Sequence, residues 1–203
     1  MAKNMQPVLK RCRALGISPA VMGYTGKAKA NISKRNPGGQ RRTKKSEYAL
    51  QLNEKQKVKF VYGVLEKQFR AYYEKAAKMP GKTGDNLMSL VERRLDNVVY
   101  RLGFSSTRRE ARQLVNHGHF TVNGKRVDIP SYQVKVGDVI AVSEKSNSTT
   151  RFKAMKEEDA FVTAPKWLER DKNILQGKVI ALPARDDIDF EVEDHLIVEL
   201  YSK

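Results

Sequence analysis

"SSTRREARQLVNHGHFTVNGKRV", Ser105 to Val127, carries its own punctuation. Thr107 and Glu110 stand three apart in the T-x-x-E pattern of a capping box, where hydroxyl and carboxylate satisfy N–H groups left open by the first turn of a helix. The pattern predicts a helix that starts at Arg108, buries Ala111, Leu114 and Val115, and stops near Gly118. Phe120 and Val122 then alternate as a strand. Asn123-Gly124 is a two-residue hairpin signal, because both residue types tolerate positive φ, and Val127 and Ile129 continue on the return strand. The polar positions of this helix and hairpin are crowded with Arg, His and Lys.

Outward from that stretch the pattern continues in both directions. Downstream of Pro130, Val134, Val136, a Gly137-Asp138 turn and "VIAV" (139–142) supply further strands. Upstream, Leu87, Met88, Val91, Leu95, Val98, Val99 and Leu102 keep a 3.6-residue period as one helix capped by Asp85 and ended at Gly103. On it Arg94 and Arg101 fall together, away from the buried stripe. Two helices and a small antiparallel sheet make a compact unit. Before it, Tyr48, Leu52, Val58, Val61, Tyr62 and Leu65 form a helical pattern from Ser46 that Gly63 bends or splits. Phe69, Tyr72, Tyr73 and Ala76 then share one face of a second helix, Glu66 to Met79, as core. "SEKSNSTTRFK" (143–153) reads as a loop or boundary. Near the end, Ile188, Phe190 and Val192 alternate like a strand, whereas Val192, Leu196, Ile197, Leu200 and Tyr201 fit a terminal helix. That helix is expected to dock on the body, since its large apolar residues would otherwise be exposed.

The charge is graded along the chain. Of 203 residues 39 are Lys or Arg and 23 are Asp or Glu, a net of +16, which favours a polyanionic partner, nucleic acid first. Residues 1–45 carry twelve bases and no acid, 46–153 a net of +9, and 154–203 a net of −5. "NPGGQRRTKK" (36–45) sets helix breakers beside cations, as in an arm that orders against phosphates; the plainer reading is a solvated tail. No run approaches the roughly 20 apolar residues of a membrane span. Met1 to Met22 has neither an apolar block nor a small-residue cleavage site, and the single Cys12 forbids an internal disulfide, so a cytoplasmic location is expected. The sequons at Asn31 and Asn147 are then coincidental.

A helix N-terminus favours anions, so Arg108 and Arg109 at the start of a helix oppose its dipole, a local conflict expected at functional sites. With Arg112, Arg101, Lys125 and Arg126 they offer one positive face; the alternative is a set of separately solvated charges. His117 and His119 read equally as a helix cap with a surface ring or as RNA contacts. Two His at i, i+2 without a partner Cys do not make a metal site. The "GKT" at 81–83 is no phosphate loop, because Ala76 occupies the first glycine position and the preceding segment is helical. His195, among acids, forms no nucleophile–base pair, so no catalytic signature is present.

"ERRLDNVVYRLGFSSTRREARQLVNHGHFTVNGKRVDIPSYQVKVGDVI" closely resembles the RNA-binding module named after small-subunit ribosomal protein S-four. The module also occurs in pseudouridine synthases, a tyrosyl-tRNA synthetase and small RNA-binding heat-shock proteins. The flanking "SEYALQLNEKQKVKFVYGVLEKQFRAYYEKAAK" and the terminal "HLIVELYSK" are similar to the bacterial ribosomal family itself, in the form that lacks a zinc-binding cysteine cluster. The resemblance implies an α+β fold: a basic arm (1–45), a helical domain (46–90) against which 188–203 docks back, and an inserted module (91–155) of helices packed on a small antiparallel sheet. Further strands and loops (156–187) would pack on the module. It also implies binding to the 5′ domain of small-subunit ribosomal RNA, nucleation of assembly, contact with ribosomal proteins including S-five, a position near the path of mRNA, and in some bacteria repression of its own operon. Neither cofactor nor metal is expected, nor an enzymatic activity or a membrane. Lys10, Arg11, Arg13, Arg35, Arg41, Arg42, Lys44 and Lys45 of the arm, with Arg94, Arg101, Arg108, Arg109, Arg112, His117, His119, Lys125 and Arg126 of the module, are the candidate RNA contacts. An RNA-modifying enzyme would need a further catalytic domain, for which the residues after Ala154 are too few; a non-specific basic chaperone or DNA binder would not discriminate between nucleic acids.

Overall fold

The computed structural model describes residues 7–24, 46–157, 164–171 and 174–202. The chain divides into two compact units, one of residues 1–88 with 188–203 and one of 89–187. The fold is α+β.

In the first unit α1 (Val8–Leu15) ends at Gly16 in the left-handed conformation. α2 (Glu47–Tyr62) starts at Ser46, whose hydroxyl accepts from Ala49 N–H, and ends at Gly63, also left-handed. Gly63 therefore splits the helical pattern, and α3 (Glu66–Ala77) follows with Phe69 and Ala76 fully buried. The terminal alternatives resolve in favour of helix: 188–193 forms no strand, and α9 (Asp194–Ser202) packs on α2 with Ile197 buried. Tyr201 stacks on Tyr73 with ring centroids 4.9 Å apart.

The expected four-turn helix is two helices, α4 (Thr83–Glu92) and α5 (Leu95–Arg101). Asp85 lies inside the first turn of α4 and caps nothing. The apolar stripe runs through the break, but the backbone does not, because Arg94 is extended (φ −67°, ψ 137°) and bridges to Gln133. Leu95 N–H donates to Tyr132 O (2.9 Å), Asp96 N–H to Pro130 O (3.2 Å), and Val134 N–H to Arg93 O (3.0 Å). These long-range bonds replace the i→i−4 bonds that one helix would have made.

α6 (Arg108–Asn116) begins at Thr107, whose hydroxyl accepts from Glu110 N–H at 3.2 Å; Glu110 in return accepts from Ser106 N–H at 2.8 Å. The hairpin turns at Asn123 (φ 51°) and Gly124 (φ 76°) between β1 (Phe120–Val122) and β2 (Lys125–Arg126). The return strand stops there: Ile129 is exposed and, like Val134 and Val136, joins no strand. β3 is Val139–Val142.

The serine-rich stretch read as a loop contains two helices, α7 (Glu144–Asn147) and α8 (Thr150–Glu157), and sends Phe152 into the core. Polar composition hid them. Beyond, β4 (Leu168–Asp171) and β5 (Gln176–Val179) complete an antiparallel sheet in the order β2-β1-β3-β5-β4. α5 lies against this sheet closely enough that Leu102 Cδ atoms sit 2.5 Å from where a Cβ on Gly177 would stand, so that position excludes a side chain. Leu95, Val98, Phe104, Phe120, Ile140 and Trp167 are among the core residues, each worth about 1.5–3 kcal/mol of burial.

Candidate nucleic-acid interface

The basic residues of the second unit separate into an outward and an inward set. Outward, Lys125 and Arg126 are exposed just past the hairpin tip, and His117 is exposed where α6 ends. Gly118 (φ 71°) is left-handed, and a Cβ there would run into the Arg126 guanidinium. The glycine thus lets Arg126 lie across the α6–β1 turn, where its Nη2 donates to His117 O at 3.4 Å. His119, half-buried, exchanges a hydrogen bond with Ser146 Oγ (2.9 Å) and lies 6.1 Å from the His117 ring and 5.9 Å from Phe152. Burial first, then the charges of His117, Arg126 and Arg151, push the His119 imidazole below its usual value. Arg151, on α8, is exposed and pairs with Glu110 at 2.6 Å. Its place beside this cluster was hidden by reading 143–153 as a loop. Arg109 and Arg112 are half-buried on α6, and both have intramolecular partners.

Three expected surface arginines turn inward, which corrects the reading that Arg94 and Arg101 lie off the buried stripe. Arg94 is 1% exposed and donates through Nε and Nη2 to Asp96 (3.1 and 2.9 Å). Arg101 donates through Nε and Nη2 to Glu92 (3.1 and 2.6 Å). Arg108 is buried, donates through Nε to Asn97 Oδ1 (3.1 Å) and stands 4.4 Å over the Tyr100 ring. The helix break and the acids opposite explain Arg94 and Arg101, and the Asn97 amide oxygen with the Tyr100 face serves Arg108: a guanidinium leaving water needs a carboxylate or another good acceptor. Arg170, not foreseen, lies on β4 with its guanidinium 5.4 Å over Phe104; its Nε and Nη1 are buried without acceptors, and burial lowers its pKa.

In the first unit, Lys10 is exposed on α1, Arg11 Nη2 donates to Gln56 (3.4 Å), and Arg13 Nε donates to Leu9 O (3.3 Å). Arg35, Arg41, Arg42, Lys44 and Lys45 lie outside the described residues. Among the described residues no group of three or more His, Cys, Asp or Glu is placed to hold a metal ion, and no helix is long and apolar enough to cross a membrane.

Residues 3–92 match the family model described as ribosomal protein S4/S9 N-terminal domain, and 93–140 the one described as S4 domain; the two meet at the break between α4 and α5. Fold and surface define an S4-module protein. Over the whole of both chains it is 58% identical to small ribosomal subunit protein uS4 of Caldicellulosiruptor bescii, 56% to that of Clostridioides difficile and 54% to that of Agathobacter rectalis. The chain belongs to the uS4 family of ribosomal proteins.

Proposed function

We propose that the protein is a structural, non-catalytic constituent of the bacterial small ribosomal subunit that binds the 5′ domain of its RNA early and nucleates assembly there, contributing to translational accuracy. The observation that carries this reading is the outward basic cluster of Arg126, Arg151 and His117 around His119, gathered where the capped helix α6, the tight hairpin and α8 come together. Such a surface holds phosphates at fixed spacing, which suits a folded RNA junction better than a base sequence. Arg109, Arg112 and Lys125 extend the surface, and the basic arm adds further phosphate contacts. The exposed acids Asp189, Glu191 and Glu193 of the first unit suit a basic neighbouring ribosomal protein, S-five among them. Contact with mRNA and translational repression of its own operon complete the reading.

Filter binding to a 5′-domain transcript across a salt series tests it. Each phosphate contact contributes roughly −0.7 to −0.9 to the slope of log K against log salt. Replacing Arg109, Arg112 and Arg126 together by Ala is expected to weaken binding about tenfold or more and to flatten the slope by roughly two units. Unchanged slope and affinity, or equal competition by duplex DNA, would remove this surface from the interface.

A further inference from the structure

The side chains gathered round the His119 ring are basic or hydroxylic. Arg126 of β2 reaches it across the α6–β1 turn, His117 stands at the end of α6, and Arg151 comes from α8 with Glu110 of α6 as its partner. All three are exposed, as are Glu144 and Lys145 of α7. From α7 the ring receives the hydroxyl of Ser146, 2.9 Å from Nδ1, and Ser146 Oγ lies 2.8 Å from Ser143 Oγ. Among the described residues no carboxylate bonds to the ring, and Nε2 has no hydrogen-bond partner. A neutral imidazole suits that company, since burial and three basic neighbours all oppose its proton. Protonation would break no bond within the protein. A hydroxyl donates or accepts, so Ser146 can turn from giving its hydrogen to Nδ1 to taking one from it, with Ser143 accepting the hydrogen thus released.

We infer that His119 takes up a proton when RNA binds: a phosphate seated among Arg126, Arg151 and His117 lies close to the ring and makes the imidazolium the favoured form. The inference rests on the RNA reading above and adds to it a dependence on pH. A phosphate there cancels the repulsion that the neighbouring cations exert and offers Nε2 an acceptor. The bound protein then holds a proton that the free protein releases, so affinity rises as pH falls between the bound and the free titration of His119. A base stacked on the ring would bring no such charge, and binding through it would be indifferent to the protonation of His119.

The full-length chain and a 5′-domain transcript provide the test, with affinity measured at constant ionic strength between about pH 5.5 and 8.5. His119→Asn sets an amide where Nδ1 stands, which keeps the bond to Ser146 and removes the titration. The ratio of wild-type to H119N affinity is expected to be about tenfold larger at the acid end than at the alkaline end, the effect on binding of a pKa raised by about one unit. A ratio that is the same at every pH overturns the inference while leaving the RNA reading intact; a wild type with no preference for the transcript overturns both. Calorimetry at about pH 7 in buffers of different ionisation enthalpy counts the protons directly: His117→Asn is expected to keep the uptake and H119N to lose it. Should H119N unfold, wild type and H117N decide, because binding without proton uptake, or uptake that vanishes with His117, refutes the assignment to His119.

Discussion

Two glutamates gather cations across three helices, one in each unit, in opposite surroundings. Glu92 of α4 is fully buried and binds Asn97 and Arg101 of α5, with Arg108 of α6 joined through the amide. Glu66 of α3 has a side chain 48% exposed and takes Lys55 (3.0 Å) and Lys59 of α2 and the Tyr201 hydroxyl (2.7 Å) of α9. The bonding is alike, yet the energetics differ, because water stands ready to replace every partner of Glu66 and none of Glu92. The Glu66 tether is adjustable, and the Glu92 tether is a condition of the fold.

Removing Glu92 is therefore the largest expected effect. Glu92→Ala leaves Arg101 without its carboxylate and takes from the Asn97 amide one of its two acceptors, the backbone O remaining, a loss of about 3–5 kcal/mol. At about 4–8 °C per kcal/mol for a domain of this size, the melting transition of the second unit is expected to fall by roughly 10 °C or more. A drop of only two or three degrees would mean that water enters the site, and the contrast with Glu66 would collapse.

The same contrast explains what was legible in the chain. The capping box at Thr107 and the Asn123-Gly124 turn act within a few residues, so α6 and the hairpin tip could be read directly, as could the exposed cations Lys125 and Arg126 beside that tip. The break at Arg94 is made by carbonyls of Pro130 and Tyr132, nearly forty residues away, and nothing in the periodic stripe of Leu87 to Leu102 announces it. Arg94 and Arg101 were misplaced for that reason, since a helical wheel has no knowledge of a break or of the acid that a break brings opposite; Arg108 was misplaced because its partners, Asn97 and the Tyr100 ring, stand on another helix. β4 ("LERD") and β5 ("QGKV") are short and polar, and their pairing in the sheet supplies what their composition lacks.

Arg170 sharpens the comparison from the other side, as a half-buried cation with no carboxylate bonded to it. Its contact with the Phe104 face offsets part of the lost hydration, and the buried Nε and Nη1 remain without acceptors. Arg170→Met keeps the volume and removes the charge, so it is expected to stabilise the second unit by about 1 kcal/mol. Thermal denaturation in low salt is the check, and a lower melting temperature would show that the guanidinium has a compensating partner in solution.

The smallest effect belongs to Glu66, and it depends on pH. Burial by itself would push this carboxyl up, but hydrogen bonds from Lys59, Tyr201 and Lys55 outweigh it and lower the pKa to about 2. An unfolded Glu titrates near about 4.3. Because the folded value is the lower one, the stabilisation is complete above the unfolded value and disappears as pH falls from there through about 2. Half-exposed ion pairs are screened, so the whole contribution is about 0.2–1 kcal/mol. Burial, then the bond to Glu66, raises the Tyr201 phenol, which keeps it a donor well into alkaline solution. The gap in melting temperature between wild type and Glu66→Gln is therefore expected to be a degree or a few at pH 7, to hold toward pH 9, and to narrow between pH 5 and 3. A gap of constant size across the acid range would show that Glu66 tethers α9 by packing rather than by charge.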